Sequence, residues 1–159
     1  MAESKVKNLA KPRSLAARGV ALLSRREYSR KQLRERLAEG GDSPEALEET
    51  LDLLEQKGYL NDERFAESLC RAKGSRYGNF RLQMQLREAG VAGEIISRVL
   101  GETADEVERA KEVWARRFSS LAEDEKEKAR QVRFLANRGF SFDTIQRVLS
   151  RVREELSSR

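Results

Sequence analysis

The stretch RAKGSRYGNFRLQMQLR, residues 71–87, carries five cationic side chains, Arg71, Lys73, Arg76, Arg81 and Arg87, and no acidic one. Two aromatic residues, Tyr77 and Phe80, are interleaved with them. Guanidinium groups form paired hydrogen bonds with phosphate or carboxylate, and exposed rings can carry unstacked bases. The stretch therefore has the means to grip a polyanion or an acidic protein surface. Two plainer readings stand beside this one: the charges can be a solvated helix face, and the rings can plug a gap between helices.

Charge is sorted by segment along the rest of the chain as well. The 159 residues hold 32 Lys and Arg against 27 Asp and Glu, for a net charge of +5. Residues 43–56, SPEALEETLDLLEQ, hold five acidic side chains and no basic one, whereas 128–138, KARQVRFLANR, contribute Lys128, Arg130, Arg133 and Arg138 with no acid among them. Arg25, Arg26, Arg30, Lys31 and Arg34 form a third basic group, opposed only by Glu27 and Glu35 nearby. Arginine heavily outnumbers lysine, which favours planar recognition over simple solubility. These segments are the candidate contacts for a partner or nucleic acid.

Several function classes lose support. The chain has no histidine and a single cysteine, Cys70, so the side chain that titrates near neutrality and the commonest metal ligand are both missing. No glycine-rich phosphate loop or nucleophile elbow is present. A non-enzymatic protein without cofactor or metal is expected, with Cys70 buried as a small hydrophobe. No apolar run approaches the roughly 20 residues of a membrane span, and no signal-peptide pattern opens the chain. A soluble, cytoplasmic protein is the expectation.

The elements that must position these residues follow a hidden period. Gly41, Gly90 and Gly139 are evenly spaced; Leu37, Leu86 and Leu135 precede them by four residues. Leu47, Ile96 and Ile145 follow at one fixed offset, and Leu51, Leu100 and Leu149 at another. Tyr28 and Tyr77 share a column, as do Leu33 and Leu82. Such registry marks three copies of one unit. Each copy reads as three short helices. Apolar stripes run through Phe65, Leu69 and Ala72 and through Val107, Ala110, Trp114 and Phe118, and the column glycine serves as a left-handed cap. Ser29 with Gln32 forms a capping box, and Pro44 suits a first helical turn. An all-α fold of three tandem three-helix repeats is expected, as an elongated, curved array. A flexible basic tail is expected over residues 1–14, with the repeats over 15–60, 61–101 and 102–159.

At the end of the first repeat the chain reads Gly58-Tyr59-Leu60-Asn61-Asp62-Glu63-Arg64-Phe65-Ala66, and in the third Arg133-Phe134-Leu135-Ala136-Asn137-Arg138-Gly139-Phe140. With the arginine-rich segment between them, these motifs resemble the RecX family, bacterial regulators of the RecA recombinase. The likeness covers about residues 16–153. The resemblance implies a non-enzymatic inhibitor that lies in the groove of the RecA–DNA filament and limits its extension, ATP hydrolysis, strand exchange and coprotease activity. It also implies a monomer that meets single-stranded DNA directly or through the filament. Arg71, Arg76, Arg81 and Arg87, with Arg30 and Arg34, are expected to form the main contact face, and the acidic segment 43–56 to face away from nucleic acid. The rival reading is a general nucleic-acid-binding helical protein that competes for single-stranded DNA.

Overall fold

The computed structural model describes residues 14–158. Nine α-helices and no strand occur among them: α1 (Leu15–Leu23), α2 (Arg30–Ala38), α3 (Pro44–Gln56), α4 (Asp62–Lys73), α5 (Asn79–Glu88), α6 (Gly93–Glu102), α7 (Glu106–Arg117), α8 (Glu125–Asn137) and α9 (Phe142–Ser157). No helix among the described residues is long and apolar enough to cross a membrane. The expected basic tail lies outside the described residues apart from Ser14, whose hydroxyl accepts the Ala17 N–H at 3.1 Å and caps α1.

The sequence states where these helices start and stop. Ser29 and Gln32 make both bonds of a capping box at α2, and Pro44 occupies the first turn of α3 behind the Ser43 cap. Gly41, Gly90 and Gly139 all adopt positive φ, at 81°, 78° and 87°, a region that costs glycine nothing and other residues about 1–2 kcal/mol. The acidic run Glu123–Glu127 has a local purpose. Asp124 caps α8 by accepting the Glu127 N–H, and Glu125 and Glu127 place negative charge in the first turn, where the helix dipole favours it.

The chain falls into two compact units, one ending at Asp62 and the other running from Glu63. In the first, α1, α2 and α3 enclose Leu33, Leu37, Leu47, Leu51 and Leu54, with Tyr28 and Leu60 completing the core. The second unit holds two further bundles, each with its own core. One gathers Phe65, Ala66, Cys70, Leu82, Leu86, Ile96 and Val99. Here the α4 stripe is rotated from its expected setting: Cys70 is buried and Ala72 exposed. At 100° per residue the buried arc centres between Ala66 and Leu69, which leaves Ala72 beyond its edge. Burial raises the Cys70 thiol pKa, so the group stays a thiol.

The other core surrounds Trp114, Phe118, Leu135, Ile145, Val148 and Leu149. The column that holds Leu33 and Leu82 holds Gln131 in this copy. Gln131 is buried because the Trp114 indole N–H donates to its Oε1 at 3.0 Å, while its own amide donates to the Ser120 carbonyl at 3.1 Å. A polar residue replaces leucine without leaving an unpaired group.

The two bundles of the second unit meet backbone to backbone. Gly78, in the column of Ser29, opens α5 without a side-chain cap. Its N–H donates to the Arg138 carbonyl at 2.8 Å. A Cβ placed on Gly78 would lie 2.5 Å from the Gly139 carbonyl carbon and 2.6 Å from the Phe140 nitrogen. The helix cap has been given up so that the α8–α9 turn can approach. Gly78→Ala is therefore expected to destabilise the second unit by about 1–3 kcal/mol through overpacking. Gly93→Ala, with open space around it, should be neutral or slightly stabilising by up to about 1 kcal/mol. Unfolding followed by the fluorescence of Trp114, the single tryptophan, checks both; equal midpoints for Gly78→Ala and the wild type would refute the close approach.

Candidate partner-binding surface

The candidate cations separate into neutralised and unneutralised sets. In the first unit the Arg30 guanidinium meets Glu48 and Asp52 at 2.8 Å and Glu55 at 3.0 Å, and Arg34 meets Glu48 at 2.5 Å. The Arg30 backbone N–H also donates to Asp62 at 2.7 Å. The acidic face of α3 thus has an internal purpose: it binds the basic face of α2. The sequence places Arg30 and Arg34 on the expected contact face; in the structure both are paired with α3. Helical periodicity shows which face of α2 is charged but not that α3 lies across it. Burial lowers the Arg30 pKa, but the hydrogen bonds to Glu48, Asp52 and Glu55 outweigh it and the net shift is upward. The bonds from Arg34 and Arg30 hold Glu48 down at about 2. Arg25 and Arg26 follow α1 and are exposed, with the Arg26 guanidinium 3.8 Å from the centre of the Tyr28 ring; Lys31 is exposed on α2.

The second unit is different. Arg76, Arg81 and Arg138 surround the ring of Tyr77, at 5.5, 4.2 and 5.8 Å from its centre. Two neighbouring repeats thus supply one cluster. Tyr77 is half-buried against the core of its bundle, whereas Phe80 is 64% exposed. The two aromatics, read together from sequence, divide in the structure into a packed ring and a displayed one. Among the described residues none of Arg71, Arg76, Arg81, Arg87, Arg133 and Arg138 has a carboxylate within ion-pair distance. Arg71, Arg87 and Arg133 are exposed, and Arg138 also stacks over Phe134 at 5.2 Å. Lys73 is tied differently, donating to Gln85 at 2.9 Å. Arg130 pairs with Glu127 one turn earlier at 3.3 Å, and Lys128 is half-buried on α8.

What holds the cluster was not among the sequence candidates. Arg109 on α7 is only 6% exposed. Its guanidinium donates to the carbonyls of Ala104 at 3.0 Å, Tyr77 at 3.1 Å and Gly74 at 3.3 Å, and to the Asn79 side chain. Burial pulls its pKa below the ordinary arginine value, opposed by the charges of Glu106 and Asp105; an arginine starting so high remains cationic. Arg116 donates to the Ser75 carbonyl, and Arg81 reaches the Asn137 carbonyl at 3.3 Å. Three arginines thus bind main-chain oxygens across the joint between repeats and fix the turn that carries Arg76 and Tyr77. Arg109 and Arg116 gave no spacing signal, because the carbonyls of Gly74, Ser75 and Tyr77 that they bind lie more than thirty residues away.

Comparison with known proteins decides the family. Three family models match in order: the first three-helix domain of RecX over residues 17–54, the second over 61–100 and the third over 104–149. The chain belongs to the RecX family. It is 43% identical over 141 residues to the regulatory protein RecX of Chromobacterium violaceum, covering 89% of this chain and 92% of that protein. The RecX of Ralstonia nicotianae is 42% identical over 87% of both chains, and that of Neisseria meningitidis serogroup C 37% identical over 90% of this chain and 94% of that one. The fold matches a crystal structure of RecX from Lactobacillus salivarius with a TM-score of 0.74 at 22% identity, covering 87% of this chain and 94% of that one.

The first RecX domain offers a direct test of its internal ion pairs. A carboxylate whose folded pKa lies below its unfolded value contributes stability above the unfolded pKa and loses it as pH falls through the folded one. For Glu48 that window runs from the ordinary 4.5 down to about 2. A carboxyl-carbon NMR titration should place the Glu48 midpoint near 2, and Arg34→Ala should move it towards 4.5. A wild-type midpoint already at the ordinary value would contradict the pairing.

Proposed function

We propose that this chain is a non-catalytic modulator of the RecA recombinase that binds the RecA–DNA filament and restrains it, limiting extension, ATP hydrolysis, strand exchange and coprotease activity. Membership of the RecX family supports RecA regulation. The observation that carries the contact assignment is the cluster of Arg76, Arg81 and Arg138 around Tyr77, left without carboxylate partners among the described residues. A filament of protein on nucleic acid offers both phosphate and carboxylate to such groups, and the guanidinium fork suits either. Arg71 and Arg87 extend the same basic segment. Arg30 and Arg34 are given a lesser part, because a partner would have to displace their bonds to α3.

The reading requires no catalytic group and no cofactor. The chain acts as a monomer, through occupancy of the filament. The rival, simple competition for single-stranded DNA, differs in its salt dependence, since binding through phosphates alone weakens steeply as counterions are released. Reversal of charge at the cluster, Arg76→Glu with Arg81→Glu, should raise the concentration needed to inhibit the DNA-dependent ATPase of RecA tenfold or more, with the helical circular dichroism unchanged. Unchanged inhibition by the folded variant defeats the assignment. Equal affinity of the wild type for bare single-stranded DNA and for the filament would favour competition.

A further inference from the structure

Phe80 and Met84 stand one turn apart on α5, 64% and 46% exposed. Beside them lies a groove of about 490 Å³, lined on α5 by Phe80, Arg81, Met84, Gln85 and Glu88 and closed by the end of α8 at Ala136 and Asn137 with Gly139. The internal repeat shows that the fold does not require apolar residues here. The same two columns hold Lys31 and Glu35 in the first copy and Ala129 and Arg133 in the third, all exposed. Only the middle copy puts a large ring and a thioether in water.

We infer that this face of α5 is an anchor for protein, taking a segment of the partner that presents a large apolar side chain flanked by carboxylates. The groove and the Phe80–Met84 pair receive the apolar side chain. Arg81, which lines the groove, and Arg76 and Arg138, which share the Tyr77 ring with it, lack ion-pair partners among the described residues and complement the carboxylates. Charge on the groove wall is mixed through Glu88, which sets the position of the partner's acids towards the arginine side. Nucleic acid fits the pair less well. Stacking surfaces for single strands present rings to successive bases, whereas here one ring is followed by a flexible methionine, the side chain that adapts to an irregular apolar partner. Aromatic side chains and arginines in well-packed pockets also carry most of the binding energy of protein interfaces.

This inference rests on the proposed binding to the RecA filament and locates the protein half of that contact. The double variant Phe80→Lys, Met84→Glu tests it. It installs the residue types of the first copy, keeps the net charge, and places a Lys and a Glu one turn apart on an exposed face. Affinity of the full chain for preformed RecA filaments on oligo(dT) with ATPγS should fall tenfold or more, while binding to bare oligo(dT) and the Trp114 unfolding midpoint stay as in the wild type. If the wild type binds the filament and the folded variant binds equally well, the anchor is refuted and the proposed function survives. If the wild type does not bind the filament at all, the proposed function falls and the anchor with it. If the variant loses bare oligo(dT) binding in proportion, Phe80 is a base-stacking platform and the inference is overturned.

Discussion

One buried cation organises the second unit. An arginine removed from water is costly unless its charge is compensated, and each guanidinium nitrogen of Arg109 finds an acceptor among three main-chain carbonyls and the Asn79 amide oxygen rather than in an acid. That arrangement is satisfied only when the carbonyls of Gly74 and Tyr77 turn towards α7. The turn between α4 and α5 is thereby held in one conformation, and with it the exposed Arg76 and the ring on which Arg81 and Arg138 stack. The glycine pair acts in the same direction. Gly78 and Gly139 let two turns from neighbouring repeats share a backbone hydrogen bond where any side chain would hold them apart.

The three copies use one scaffold for opposite electrostatic ends. In the first, the basic face of α2 is spent on the acidic face of α3, so much of its charge is internal. In the second and third, Arg76, Arg81, Arg109, Arg116 and Arg138 stack on rings or bind carbonyl oxygens, and neither kind of partner cancels their charge. Cation–π contacts at these distances are worth about 0.5–1 kcal/mol at exposed sites, enough to orient an arginine while leaving it able to bind an anion. The difference lies in α3 and α6: the helix that supplies Glu48, Asp52 and Glu55 in the first copy has no comparable acidic row in the second, where Arg98 instead reaches Glu63 at 2.8 Å.

Much of this was legible in the residues. The glycine column, the leucines at fixed offsets and the capping box gave three-helix repeats, because positive φ and apolar burial are local demands that leave local marks. Cys70 and Trp114 proved buried as expected. The candidate surface was legible only in part. Arg76, Arg81 and Arg138 were nominated by the absence of nearby acids, but their convergence on Tyr77 depends on packing between repeats. The engagement of Arg30 and Arg34 with α3 and the burial of Arg109 were not legible, since a charge pattern along one helix does not say which other helix or carbonyl it will meet. Phe80 could have been singled out by comparing the copies, where Lys31 and Ala129 share its column.

The most direct measurement is amide hydrogen exchange on the whole chain, free and bound to RecA filaments on single-stranded DNA. Binding is expected to slow exchange in the turn between α4 and α5, along α5, and in the α8–α9 turn around Arg138 and Gly139, with little change at the paired faces of α2 and α3. Protection confined to α2 and α3, with residues 74–88 exchanging at the same rate free and bound, would contradict it.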